Sequence, residues 1–345
     1  MAAMTTVIGP RITDPVEIWP AKIAADCRTH GRLIVQFTRS AAYTPATLSL
    51  LNDACRLAQD RLQVRFFGHY GGGFDAESLR YLPHVRDLSV DCLTEIVHEE
   101  QIGQLPKLIR LSFGVFDFDR PGFLNTMDLG GLERLVLSEN RKRNIDLTPL
   151  AQCGSLSELF VGGHTRGIGA IAALPRLQKL GLGAYAKAHG LDFISAISSL
   201  RDLTLILGGR TDIDDMSSAS LEALQVVRVC GLSGLGDLSR FTSLSALRVE
   251  DQLQLVHLDL TGANLERLWL NNCKKLAELT GLEKQERLRE FRASGVALDM
   301  DYLRDREWPP TARSINLFAG SRKWNDDTEA CLSARGIGEK GELWP

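Results

Sequence analysis

One nine-residue phrase governs what this chain can fold into. LERLVLSEN (132–140) returns almost letter for letter as LERLWLNNC (265–273), and a looser form, apolar-x-x-apolar-x-apolar, recurs along most of the sequence. Its starts fall at Val85, Leu108, Leu132, Leu156, Leu177, Leu200, Leu224, Leu244, Leu265, Leu288 and Ala312, in steps of 20–24 residues. The fourth positions are Leu88, Leu111, Leu135, Leu159, Leu180, Leu203, Val227, Leu247, Leu268, Phe291 and Ile315. The sixth are Val90, Phe113, Leu137, Val161, Leu182, Leu205, Val229, Val249, Leu270, Ala293 and Leu317. All are apolar, and about eleven units at a near-constant period mark a repeat architecture.

The physical reason for the repetition is burial. Positions three to seven of each unit alternate outward and inward, the period of a strand. A single strand cannot bury its inward leucines, so it stacks on parallel neighbours about 4.8 Å away and a continuous core results. The rest of each unit returns the chain behind the sheet. There Leu147 and Leu150, Ile168 and Ile171, Ile194 and Ile197, and Leu238 and Phe241 point back to the same core. Few returns carry strong helix signals, so short helical turns and extended segments are expected.

A run of L-x-x-L-x-L units with a period in the low twenties resembles the leucine-rich repeat family. NIDLTPLAQCGSLSEL (144–159) is similar to the short bacterial repeats of internalins. The resemblance covers roughly residues 83–320. It implies an α/β fold, a curved leucine-rich repeat solenoid with a parallel β-sheet on its concave face. The family places Asn or Cys at the ninth position, where the side chain bonds to turn backbone. Here only Asn140 and Cys273 fit, beside Leu93, Phe116, His164, Tyr185, Gly208, Leu232, Gln252, Val296 and Gly320. Irregular turns are expected.

Open solenoid ends need caps. RLIVQF (32–37) and RLQVRFF (61–67) alternate like strands. Between them TPATLSLLNDACRLAQD reads as a helix capped by Thr44 with Pro45 at its first position. Residues 1–82 are expected to form an α/β N-terminal cap continuing the sheet, with GHYGGGFD (68–75) as a flexible turn. Residues 83–320 hold the repeats. Residues 321–345 hold a short capping helix over 324–336 and a loose tail.

Few signs of chemistry accompany the repeats. VHEEQIG (97–103) begins like the zinc-protease motif H-E-x-x-H, but Ile102 stands where the second ligand belongs. The seven histidines are dispersed and read as surface or turn residues. Gly71–Gly73 lack the Lys-Ser/Thr of a phosphate loop and read as a turn. No cysteine is followed two positions later by Asp, so the Cys-x-Asp signature of bacterial repeat-bearing ubiquitin ligases is missing. Seven scattered cysteines without CxxC read as reduced thiols. A net charge of -3 gives no general case for nucleic acid or membrane surfaces. No leader peptide is visible in MAAMTTVIGPRITDP, and no run is apolar enough to span a bilayer. A cytoplasmic location is expected, with signal-independent secretion into a host as the alternative.

Side chains at positions three, five and seven should project from the concave face. The fifth-position column runs Ser89, Ser112, Val136, Phe160, Gly181, Thr204, Arg228, Arg248, Trp269, Arg292, Asn316. Arg228, Arg248, Trp269 and Arg292 would span roughly 14 Å over four strands, with Arg267, Glu290, Glu250 and Asn271 beside them. An exposed Trp among arginines has the composition of an interface hot spot. The competing possibility is a self-contained stack of Arg on Trp, with Glu250 and Glu290 as counter-charges. Phe160 with Val136, Gly162 and Gly181 forms a second, apolar patch.

These features together predict a non-catalytic module that binds another protein on the concave sheet, without cofactor or metal. It would be a bacterial immunity-type inhibitor or a host-directed effector. An enzyme with its site in residues 1–82, and an assembly protein that pairs with its own copies, are the alternatives.

Overall fold

The computed structural model describes residues 9–341 and residue 344. The leader-peptide reading therefore rests partly on positions 1–8, outside the described residues, as are 342, 343 and 345 of the tail. The chain divides into two compact units, residues 3–177 and 178–345.

The N-terminal unit is built on parallel strands β1 (Arg11–Thr13), β2 (Leu33–Phe37), β3 (Leu62–Gly68), β4 (Asp87–Leu93), β5 (Arg110–Val115), β6 (Arg134–Leu137) and β7 (Glu158–Gly162), which pair in chain order. Their register aligns Val35, Val64, Leu88, Leu111, Leu135 and Leu159. All six are buried, and each fully buried leucine contributes about 1.5–3 kcal/mol. Helix α1 (Pro20–His30) precedes β2, and α2 (Pro45–Ala58) packs against α1. Thr44 caps α2 by accepting the Thr47 amide at 3.1 Å, and Leu48, Leu51, Ala54, Cys55 and Ala58 are its buried residues.

The GHYGGGFD segment differs from the simple turn expected of it. His69 and Phe74 are buried, in an aromatic cluster with Phe37, Tyr43 and Phe66, where Phe66 stacks on Phe74 at 4.6 Å. Phe74–Asp75 also pairs with Ile96–Val97.

The C-terminal unit repeats the plan with β8 (Lys179–Gly183), β9 (Asp202–Ile206), β10 (Ala223–Val227), β11 (Ala246–Glu250), β12 (Arg267–Asn271), β13 (Glu290–Ser294) and β14 (Ser314–Phe318). Leu180, Leu203, Leu224, Leu247, Leu268, Phe291 and Ile315 align. One repeat therefore starts at Leu221, three residues before the Leu224 read from the sequence. Both frames fill their slots with apolar residues because VVRV alternates as regularly as ALQV. Two parallel stacks of the L-x-x-L-x-L period are the leucine-rich repeat fold.

The backbone supplies independent proof of the frame. The residue at position eight, just past the strand, has a left-handed φ in repeat after repeat. In the C-terminal unit these are Ala184, Leu207, Arg228, Asp251, Asn272 and Gly295, and in the N-terminal unit Gly68, Cys92 and Gly163. Arg228, with φ of 50°, is thus an eighth-position turn residue.

Most returns are single 3-10 turns, such as Thr148–Gln152, Asp192–Ala196 and Leu238–Arg240. The turns use substitutes for the family's Asn. Buried His164 accepts the Ile145 amide at 3.2 Å and donates to Ser138 O at 3.0 Å. Gln252 donates to Val226 O at 3.2 Å and Glu250 O at 2.7 Å. Cys273 Sγ reaches Val249 O at 3.7 Å and Asn271 O at 3.4 Å. Asn140, which fits the family pattern, instead bonds locally to Arg143 O and the Lys142 amide. His69 departs from the reading of the histidines as surface or turn residues by joining the aromatic cluster, while His164 is a turn histidine, buried in the turn ladder.

Helix α3 (Arg322–Ala334) starts at Ser321, which accepts the Trp324 amide. Beyond it, residues 337–339 lie antiparallel to β14, through Ile315 N to Ile337 O at 2.8 Å and Glu339 N to Arg313 O at 2.9 Å.

Candidate functional site

Outward side chains of the C-terminal unit form rows across its sheet. The fifth-position row is Gly181, Thr204, Gln225, Arg248, Trp269, Arg292, Asn316. The third-position row is Lys179, Asp202, Ala223, Ala246, Arg267, Glu290, Ser314. Arg248, Trp269 and Arg292 thus stand on three successive strands, as expected, but Gln225 takes the place expected of Arg228. Arg228 sits on the turn after β10 and pairs with Asp251 at 2.7 Å.

The arginines and tryptophan form a fixed stack. The Arg292 guanidinium lies 4.1 Å from the Trp269 ring centroid and that of Arg248 lies 5.6 Å from it. Buried Glu290 is the hub: it accepts Trp269 Nε1–H at 3.0 Å and pairs with Arg292 Nε at 2.6 Å and Arg267 Nε at 3.5 Å. Arg248 donates from Nε to Glu250 at 2.8 Å. At the margin, Asn271 Oδ1 accepts from Ser294 at 2.6 Å. The Asp251 carboxyl is held below the usual carboxylate range by a hydrogen bond from Asn272 and by its Arg228 partner.

Two expectations about this face are corrected by one residue. Trp269 is half-buried rather than fully exposed, and the tail is not loose where it meets the face, because Trp344 packs edge-on against Trp269. Their ring centroids are 5.0 Å apart at 64°. Trp344 is buried against Ala223 and Ala246, the two small residues in a row of otherwise mostly longer side chains. That alanine notch was hidden from the sequence reading because the slipped frame put Ala223 before the start of its unit.

In the N-terminal unit the third-position row is Gln63, Asp87, Arg110, Arg134, Glu158. Asp87 is almost fully buried and accepts from Arg32 at 2.6 Å and Gln63 at 2.8 Å, while Arg134 pairs with Glu158 at 3.3 Å. Arg65 makes a forked pair with Asp91 at 2.7 and 2.8 Å. The sequence reading did not foresee this ladder, which runs over the successive strands β3 to β7 and draws in Arg32 from just ahead of β2. Phe160 lies half-buried on β7 beside Val136 and so belongs to a different unit from the arginine stack.

Burial pushes the Cys27 and Cys273 thiols up to about 11 and that of Cys55 to about 12, so none is a ready thiolate at neutral pH. His69 bonds to Tyr43 at 3.2 Å, and its burial lowers the imidazole pKa. Among the described residues, no helix is long and apolar enough to cross a membrane.

No protein-family model matches the chain, and no curated protein matches it. Solved structures do. An internalin from Listeria monocytogenes is 16% identical over 76% of this chain and 80% of its own, with a TM-score of 0.41. A leucine-rich repeat protein from Leptospira interrogans is 16% identical over 87% of this chain and 93% of its own, with a TM-score of 0.40. The mouse RP105/MD-1 complex matches with 15% identity, 89% of this chain, 63% of that chain and a TM-score of 0.47.

Proposed function

We propose that this chain is a non-catalytic protein-recognition module that binds its partner through the open face of the C-terminal unit. Arg248, Trp269, Arg292 and Arg267 are the contact residues, with Glu250 and Asn271 at the margin. The observation that supports this reading most is the stack itself. Trp and Arg offer large contact area and directed donors, and Glu290 and Glu250 already hold them in place, so binding would cost little side-chain ordering. Within this class we favour a bacterial cytoplasmic protein acting as an immunity-type inhibitor, with a secreted host-directed effector as the competing role. The bacterial assignment rests on the internalin-like run 144–159.

The test is affinity capture with the intact chain beside a variant carrying Arg248→Ala, Trp269→Ala and Arg292→Ala, its folding checked by circular dichroism. Arg228→Ala alone serves as the off-row control. A partner held by the intact chain and the control, and lost by the folded triple variant, is the expected result. Equal retention by all three would overturn the assignment of the face.

A further inference from the structure

The open face is already occupied by the chain's own residues. The segment leaves its antiparallel pairing with β14 at Glu339. It crosses β13 at Gly341, where any Cβ would collide with Glu290 and Arg292, and delivers Trp344 into the notch of Ala223 and Ala246 beside Trp269. A side chain here would have to push the ends of Glu290 and Arg292 aside.

We propose that Trp344, tethered to β14 through Glu339, acts as a displaceable strap, and that the alanine notch is an aromatic subsite whose other occupant is an extended partner segment presenting a Trp or Phe side chain. The inference rests on the recognition reading above and adds the chemistry of the partner and its regulation. Two features make the strap a competitor and not simply part of the core. Among the described residues its buried indole N–H has no acceptor, so it fills the notch without satisfying its own donor there. Its tether from β14 is only a few residues long, so it holds the site through high effective concentration instead of extensive contact. A partner segment that fills the notch and also pairs its polar groups would win the exchange.

The probe is a labelled peptide of the strap's own sequence, EKGELWP, titrated by fluorescence polarisation into full-length chains. Trp344→Ala should bind it at least ten times more tightly than the intact chain, and Trp344→Phe should restore the blocked state. A peptide with Phe for Trp should bind Trp344→Ala, and one with Ala for Trp should not. Adding Ala246→Leu to Trp344→Ala fills the notch and should abolish binding. Equal binding by the intact and Trp344→Ala chains, or of the Trp and Ala peptides, would overturn the strap. That failure is distinct from failure of the recognition reading. If a captured partner depends on Trp269 but binds Trp344→Ala no better than the intact chain, recognition stands and the strap falls.

Discussion

The Arg292 guanidinium lies over the Trp269 indole at 4.1 Å, and one carboxylate, Glu290, bonds to both. The stack is therefore a network with a single anionic centre, and removing that centre should disturb more than one contact. Glu290→Ala leaves the Trp269 N–H, Arg292 and Arg267 without their shared acceptor. Urea unfolding should show a loss of about 2 kcal/mol, below the full cost of breaking a buried pair because both arginines retain some solvent. Glu290→Gln, which still accepts the indole N–H, should lose roughly half as much. Equal losses for the two variants would mean that the charge of Glu290 contributes nothing.

The inward leucines were legible in the sequence because burial demands them at fixed spacing, and Leu88, Leu111 and Leu268 fall where that spacing puts them. The register at β10 was not. Val226, Val227 and Val229 are all apolar, so the pattern alone admits two frames, and only the strand register and the backbone turn at Arg228 distinguish them. The site was legible where it lies on adjacent strands, as for Arg248, Trp269 and Arg292. Trp344 was not, since no periodicity connects a residue after α3 to a notch on β10 and β11. The pair of Arg32 and Asp87 was hidden for the same reason: Arg32 stands just ahead of β2, before the repeats begin, and no periodicity links it to β4.

The left-handed position at the end of each repeat gives opposite expectations for two residues. Ala184 has φ of 61° and Gly295 has φ of 60° at the same place in their repeats. A residue with a Cβ costs about 1–2 kcal/mol in that region, while glycine's extra freedom in the unfolded chain costs about 0.4–1 kcal/mol. Ala184→Gly should therefore raise stability by about 0.5–1 kcal/mol. Gly295→Ala should lower it by at least as much, since its new Cβ would lie 3.2 Å from Asn272 Cα. Thermal melts of the two variants should shift in opposite directions. A shift of the same sign in both would show that local packing outweighs the turn conformation.

Acid should weaken the C-terminal unit through Asp212. Hydrogen bonds from Lys187 and then Thr211 hold its carboxyl at about 2, below the ordinary 3.8. A depressed folded pKa means that the ionised form stabilises the fold. That contribution is complete above pH 3.8 and is lost as pH falls from about 4 toward 2. The shift corresponds to about 2 kcal/mol at most, and the partial exposure of the pair reduces it to about 1 kcal/mol. Asp212→Asn should cost that amount at pH 7 and almost nothing near pH 2, so the two stability curves should converge over that interval. Curves that stay parallel from pH 5 to pH 2 would show that the Lys187–Asp212 pair makes no net contribution to folding.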